Sequence, residues 1–397
     1  MSTRIAIIGE VFSPNLGDGV IADCMSLLID RAGATPVHVD LSGKSSWTDS
    51  FHPQSVRIAP TFSRAMSAAI PQRVRGALRE REWLKKNHQK LANRVAEYSK
   101  DCDAAILGGG QLLHDNTLRF PMKIRSATKG LKDAGITRIA VLGCGVGYTW
   151  SPRGTQILNE AFEPLDLAWL GVRDPTSLKV IKCVMPSHAN KGHWSTDVAI
   201  WSDEAYKINP IPLDADRTHV GIGIIKPGSA LGRVLGDNDP LVHELASRWK
   251  EVVSGLQARG HRVTLFSNGD PHDHAFAQRV AEVCDGSQLN PRPTRPDELV
   301  EQISQFGSVI AHRLHAHIIS YALRVPALPL VWDKKVQGFA EITDRENLYL
   351  PRDRQSPQDI LDGHKKLLST EFNDAKRIEH RELTASHVRE VVALLNA

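Results

Sequence analysis

The chain has 397 residues, of which 24% are charged and 41% hydrophobic, and its formal net charge at pH 7 is +4. This composition is typical of a soluble globular protein, and the length predicts two or three domains. The small positive excess does not indicate a dedicated nucleic-acid binder, and no run of about 18 apolar residues predicts a membrane span.

The five cysteines lie far apart and form no Cys-x-x-Cys pair. We interpret them as small apolar residues in a reducing compartment. The apolar run near the start is too short for a signal peptide. We therefore expect a cytoplasmic protein without a metal site or a resident cofactor, and the oligomeric state stays open.

The first predicted strand covers residues 5–9, which are continuously apolar, as in a buried parallel sheet. A turn containing Asn15, Gly17 and Asp18 follows, and then a helix that ends near Gly33. In doubly wound sheets such a turn lies at the ligand-binding edge. Asp18 is either a simple helix cap or a ligand-binding carboxylate.

Residues 64–100 are predicted to be helical and carry ten basic against three acidic side chains. A basic helical face can be a solvated surface, or it can bind anionic lipid head groups or an anionic, lipid-linked glycan. Peripheral contact with the inner face of a membrane is the functional interpretation of this segment.

Two predicted strands are followed by glycine clusters that let backbone N–H groups approach a ligand. Residues 104–107 lead into Gly109 and Gly110, and residues 139–142 lead into Gly145. Neither cluster forms a G-x-G-x-x-G fingerprint with an acidic residue about 20 positions later, so dinucleotide binding is not predicted.

Arg173 ends the next predicted strand, and Asp174 and Pro175 give a clear helix start. This Arg either binds a ligand beside the helix N-terminus or pairs with an acid. Further on, Asp197 lies in a Ser-Thr-Asp-Val-Ala segment.

Composition changes at residues 207–217, where two prolines interrupt the apolar pattern. We predict an N-terminal domain over residues 1–206, this linker, a second domain over 218–350, and C-terminal helices over 351–397 that pack back on the first domain. Within the second domain His272, Asp273 and His274 lack spaced metal-ligand partners and are interpreted as a solvated loop.

Residues 309–335 form the most informative stretch, with a strand, a helix predicted over 313–324 and a second strand. The first turn of this helix carries Arg313 and His315. Cationic groups beside unpaired N–H groups and the positive end of the helix dipole are favourable only with an anion. We interpret the turn as an anion site; the alternative is that Arg313 pairs with a neighbouring carboxylate.

The same stretch resembles the polysaccharide pyruvyl transferase family. The residues that carry this resemblance are Arg313, Leu314, His315, Ala316, Val325, Pro326, Asp333, Lys335, Val336 and Phe339. Asn15, Gly17 and Asp18 are similar to the family's Asn-x-Gly-Asp signature. Gly109, Gly110 and Gly145 match its glycine positions, Arg173 its Val-Arg-Asp pattern and Asp197 its Ser/Thr-x-Asp-x-Ala segment. His312, Arg324 and Lys334 depart from the family pattern. These departures bear on the identity of the acceptor more than on that of the donor.

The resemblance implies an enzyme that moves the enolpyruvyl unit of phosphoenolpyruvate, a co-substrate, onto a sugar of a cell-surface polysaccharide (an exopolysaccharide or cell-wall polymer) or of its lipid-linked precursor, forming a pyruvate ketal. With the alternating strands and helices, it predicts an α/β protein with two Rossmann-like (doubly wound) domains facing a cleft in a GT-B-like arrangement. The implied substrate-binding residues are Arg173, Arg313, Leu314, Asn15, Gly17, Gly109, Gly110, Gly145, Asp197, Asp333 and Lys335.

The chemistry needs a general acid near C3 of phosphoenolpyruvate and a base for the attacking sugar hydroxyl. A histidine has an ordinary pKa of about 6.5 and can serve as the acid. We assign this role to His315, whose alternative role is to ligate phosphate, and the base role to Asp18. Whether the product is a ketal or an enolpyruvyl ether stays open.

Two other functions compete with this interpretation. A GT-B glycosyltransferase would use a nucleotide sugar, although acidic residues would then be expected where Arg313 and His315 lie. A non-catalytic, membrane-associated scaffold of polysaccharide assembly would use residues 64–100 and release no phosphate.

Overall fold

The computed structural model describes residues 2–51, 72–230 and 239–397. Parts of the basic segment 64–100 therefore lie outside the described residues. The chain divides into two compact units. The first comprises Met1–Ser13, Ile21–Val198 and Leu383–Ala397, and the second comprises Pro14–Val20 and Ala199–Glu382.

The first unit is built on a parallel sheet with the strand order β2-β1-β3-β4-β5-β6. Strands β1, β3, β4 and β5 are mostly apolar runs with buried side chains, as expected for a sheet covered by helices on both faces, whereas the edge strands β2 and β6 are largely half-buried. The strands are β1 (Arg4–Gly9), β2 (Thr35–Asp40), β3 (Ala104–Gly108), β4 (Arg138–Cys144), β5 (Asp166–Val172) and β6 (Gly192–Trp194).

Helices follow these strands in chain order. They are α1 (Gly17–Arg31), α2 (Trp47–Phe51), α3 (Gln72–Trp83), α4 (Gln89–Ser99), α5 (Arg119–Asp133), α6 (Pro152–Phe162) and α7 (Pro175–Val184). A π-helical turn, Leu84–His88, joins α3 to α4. Asp174 caps α7 by accepting from the Ser177 N–H, which confirms the predicted helix start.

The second unit contains a smaller parallel sheet with the order β11-β10-β7-β8-β9. The strands are β7 (His219–Gly223), β8 (Arg262–Phe266), β9 (Gln288–Leu289), β10 (Ser308–Ala311) and β11 (Ala327–Pro329). The helices are α8 (Ser202–Ala205), α9 (Pro227–Ala230), α10 (Pro240–Ala258), α11 (Pro271–Val283), α12 (Pro296–Ser304), α13 (Leu314–Ala322), α14 (Lys334–Ile342), α15 (Pro357–Leu368) and the first part of α16 (Asp374–Asn396), whose residues from Leu383 onward belong to the first unit.

The unit boundary lies at Ala199, before the linker proposed from composition. The reason is packing: α8 is bound to the second unit by Arg381, whose guanidinium donates to the buried carboxylate of Asp203 at 2.5 and 2.6 Å. The Ile211 N–H also donates to the Leu323 carbonyl. The proline-containing stretch is thus part of the second unit, and residues 383–397 belong to the first.

Candidate functional site

The loop after β10 places Arg313 at the N-cap of α13, where its own side chain makes no capping bond. Its Nε and Nη2 atoms donate to one carboxylate oxygen of Asp273, at 2.8 and 2.6 Å. The alternative that Arg313 pairs with a carboxylate is therefore realised. Only one edge of the guanidinium is used, because Nη1 has no hydrogen-bond acceptor among the described residues. The side chain is 18% exposed, so this second edge is available to an anion.

Asp273 is fully buried and lies in the first turn of α11. Its second oxygen accepts from the Lys226 N–H at 3.0 Å. Burial raises the pKa of the Asp273 carboxyl, although the neighbouring Arg313 guanidinium lowers it. The prediction of a solvated loop at residues 272–274 is thus wrong for Asp273, because Asp270 caps a helix there and directs Asp273 inward. Asp273 is a site residue that the sequence analysis missed.

His315 lies in the first turn of α13 and is 7% exposed. The two other histidines nearby differ from it in environment. Burial lowers the pKa of His312 to about 3 and that of His317 to about 4, so both imidazoles are neutral at pH 7. His317 is also committed to the Ala311 carbonyl at 2.8 Å. Neither residue is suited to donate a proton at neutral pH.

The start of α1 packs directly against His315. A Cβ atom at Gly17 would lie 2.2 Å from both Cγ and Nδ1 of the His315 ring, far inside van der Waals contact. Only glycine allows this approach. The structure therefore brings the Asn15–Asp18 turn and the histidine together, although they are distant in sequence. Within this turn the Asn15 amide donates to the Asp18 carboxylate at 3.3 Å.

With the predicted acid role of His315, Gly17→Ala is expected to lower kcat/KM about 100-fold, because displacing a catalytic group by about 1 Å has an effect of this size. The added methyl group must push the His315 ring aside or move the first turn of α1. The matched control is Gly76→Ala in α3, where the new Cβ would meet Leu118 at 3.4 Å, an ordinary contact. If Gly17→Ala and Gly76→Ala had the same kcat/KM, the close packing of Gly17 against the His315 ring would not matter for activity.

Three further residues of the second unit that were predicted to bind substrate, Leu314, Asp333 and Lys335, make contacts within the protein. Leu314 is buried in the core at 5% exposure. Asp333 caps α14 by accepting from the Lys335 N–H at 3.2 Å. The Lys335 ammonium lies 5.0 Å from the centre of the Trp332 ring and 3.6 Å from Asp333. The bond from the Lys335 N–H explains Asp333 as the cap of α14. A substrate-binding role for Asp333 and Lys335 stays a prediction.

A second cluster of predicted residues forms within the first unit, after β4 and β5. The guanidinium of Arg173 is 6% exposed and donates to the Asp197 carboxylate at 3.3 Å. A Cβ at Gly145 would lie 2.6 Å from this guanidinium, so any other residue there would have to displace the end of the Arg173 side chain. The Gly145 N–H donates to the Gly110 carbonyl at 2.8 Å. Gly109 is the neighbour of Gly110, and both have positive φ angles.

Cys144 borders this cluster at the end of β4. Its side chain is buried, and burial raises the pKa of the thiol to about 12. The thiolate form is the nucleophile in cysteine chemistry. Cys144 is thus a packing residue, and Cys24, Cys102 and Cys284 are buried as well, whereas Cys183 is exposed and does not fit the interpretation of the cysteines as buried apolar residues.

Solved structures with a similar fold include two UDP-N-acetylglucosamine 2-epimerases. The chain is similar to UDP-N-acetylglucosamine 2-epimerase from Rickettsia bellii, with a TM-score of 0.57, 11% identity, and 99% and 96% of the two chains covered. It is also similar to the enzyme from Neisseria meningitidis bound to UDP-GlcNAc, with a TM-score of 0.53, 10% identity, and 99% and 98% covered. At this identity the likeness shows the fold alone. The predicted class, α/β with two doubly wound domains of the GT-B type, is confirmed.

A family model described as polysaccharide pyruvyl transferase matches residues 15–334. The chain therefore belongs to the polysaccharide pyruvyl transferase family, as its motifs predicted. The match includes the Asn15–Asp18 turn, Arg173 and the Arg313–His315 turn. Comparison with curated proteins gave no match.

Proposed function

We propose that the protein transfers the enolpyruvyl unit of phosphoenolpyruvate to a sugar of a cell-surface polysaccharide, or of its lipid-linked precursor, and forms a pyruvate ketal. The observation that carries the proposal is the first turn of α13, where Arg313 and His315 lie at a helix N-terminus. A guanidinium held on one edge by Asp273 can offer its other edge to a carboxylate or a phosphate.

In the proposed reaction His315 gives a proton to C3 of phosphoenolpyruvate, so that this methylene carbon becomes a methyl group. One sugar hydroxyl attacks C2 and gives its proton to a base, for which Asp18 is the candidate. A second hydroxyl of the same sugar then displaces phosphate, and its proton leaves with the phosphate. The products are one ketal and one inorganic phosphate.

Arg173 remains a proposed substrate-binding residue of the first unit, with Asp197 as the group that orients it. Gly109, Gly110 and Gly145 stay proposed substrate-site positions, but the N–H groups of Gly109 and Gly145 already donate to the Leu142 and Gly110 carbonyls within the protein. No resident cofactor is assigned to this chemistry, since phosphoenolpyruvate is consumed as a co-substrate.

The test is the release of inorganic phosphate from phosphoenolpyruvate in the presence of methyl β-D-galactopyranoside, methyl β-D-glucopyranoside, methyl β-D-mannopyranoside and lipid-linked oligosaccharides. Acceptor-dependent release supports the proposal. UDP-glucose serves as the control donor. Release of UDP without release of phosphate would instead support a nucleotide-sugar glycosyltransferase, in which the Arg313 turn binds a diphosphate.

The described part of the basic segment supports a proposed contact with membranes. In the structure it exposes Leu78 and Leu84, at 45% and 44%, among exposed basic side chains. These are Arg79, Arg81, Lys85, Lys86 and Lys90. Exposed apolar groups among basic ones are typical of helices that lie on anionic bilayers. Among the described residues, no helix has the length and apolar character needed to span a membrane.

We expect the protein to sediment with vesicles of phosphatidylglycerol and phosphatidylcholine, but not with pure phosphatidylcholine. Each basic residue contributes about 1 kcal/mol, so the double variant K85E/K90E should bind at least about 30-fold more weakly. The control is K132E/K365E, which changes net charge equally at exposed positions elsewhere. An equal loss in both variants would show that only net charge matters.

A further inference from the structure

The loop between β8 and α11 contains a buried amide whose polar atoms are unused. Asn268 is 1% exposed, and both its Oδ1 and its Nδ2 are buried without a hydrogen-bond partner among the described residues. Each unsatisfied buried group costs about 1–3 kcal/mol, and such groups normally have a partner. A ligand that supplies both hydrogen bonds would remove this cost.

Backbone contacts place Asn268 beside the site already described. Its carbonyl accepts from the Leu16 N–H at 2.9 Å. The next residue, Gly17, is in contact with the His315 ring. Leu16 and Gly17 are consecutive residues, whose Cα atoms lie about 3.8 Å apart. Asn268 and His315 therefore contact the same two-residue segment, one at each residue.

The amide also indicates the chemistry of the ligand. A phosphate or a carboxylate would satisfy the Nδ2 donor, but it would leave the Oδ1 acceptor unpaired and facing negative charge. Two neighbouring hydroxyl groups satisfy both atoms, since one hydroxyl donates to Oδ1 and the other accepts from Nδ2. A neutral diol therefore fits better than an anion.

We propose that Asn268 binds the two hydroxyl groups of the acceptor sugar that are joined in the ketal. This inference rests on the proposed function and deepens it, because it assigns the acceptor diol to the loop after β8. Ketal formation requires that both hydroxyls approach C2 in turn, and a single amide bonded to both holds them in the required relative position. Asn268 is then a determinant of acceptor specificity.

Asn268→Leu gives a sharp test, because leucine has nearly the same shape and removes only the two polar atoms. Replacing an unsatisfied buried group by an apolar one is neutral or stabilising, so the Tm without substrates should stay the same or rise. Acceptor kcat/KM should fall about 10- to 100-fold, the size expected when two hydrogen bonds to the substrate are lost. The Kd for phosphoenolpyruvate alone should not change. Asn93→Leu, an exposed residue on α4, is the control.

The measurements are the Tm, the Kd for phosphoenolpyruvate, and kcat/KM for whichever methyl hexopyranoside the wild type accepts. A wild type that releases no phosphate with any acceptor would contradict the proposed function, and the inference with it. A wild type that is active, with an N268L variant of unchanged acceptor kcat/KM, would overturn this inference alone. A large fall in Tm would also overturn it, since the amide would then be bonded within the protein.

Discussion

Replacing His315 by glutamine is expected to lower the rate of pyruvyl transfer by about 10²–10⁴-fold, the usual contribution of a general acid. Glutamine can donate a hydrogen bond but cannot give up a proton to C3 of phosphoenolpyruvate. It is also unbranched at Cβ and fits beside Gly17 without a new Cβ contact. The fold should persist, and the Kd for phosphoenolpyruvate should change much less than kcat.

The experiment measures kcat by phosphate release, the Kd by isothermal titration and the Tm by thermal unfolding. His272→Gln is the matched control, because His272 is exposed on the first turn of α11. Near-normal turnover of H315Q would remove His315 from the acid role. A normal kcat with a large rise in the Kd would make it a phosphate ligand instead.

The second large effect is expected for Arg313→Lys, although the substitution conserves charge. Lysine cannot bond Asp273 along one edge and the substrate along the other, as the planar guanidinium can. Loss of one charge-assisted hydrogen bond costs about 1.5–3 kcal/mol, so KM for phosphoenolpyruvate should rise about 10- to 100-fold. The Tm should also fall, because the buried Asp273 carboxylate loses a donor.

Arg295→Lys is the control for this variant, since Arg295 is 63% exposed and pairs with Asp297 on the surface. It should leave KM and Tm unchanged. An unchanged KM in R313K, with wild-type Tm, would show that the guanidinium serves neither the substrate nor Asp273.

Local patterns were sufficient to predict much of the fold. The strands are continuous apolar runs of four to seven residues in most cases, and Asp174 with Pro175 marks a helix start through chemistry that acts within one turn. The same Asp-Pro signal is present at Asp270 and Pro271 and predicts α11. The polar His-Asp-His run that follows masks this signal and is typical of a loop.

The contacts that define the candidate site could not be predicted in this way. Gly17 touches His315, and Asp273 holds Arg313, although each pair is far apart in the chain. Periodicity reports which face of a helix is buried, but not which distant residue covers it. The family resemblance named Gly17 and His315 separately, and the structure joins them. Asp273 and Asn268 lie outside the quoted motifs. Asp273 is identified by its burial and its bond with Arg313, and Asn268 by the burial of its amide.

The central claim, that this protein forms a ketal by protonating phosphoenolpyruvate, is tested most directly by the mass of the sugar product in H₂O and in D₂O. We expect a gain of about 70 mass units for the reaction in H₂O and of about 71 for the reaction in D₂O, both measured after the product is returned to H₂O to exchange its O–D groups, because one carbon-bound solvent deuteron remains in the new methyl group. With H315Q the same product should form about 10²–10⁴-fold more slowly. An unchanged sugar mass, or a gain that matches a transferred hexose, would contradict the account.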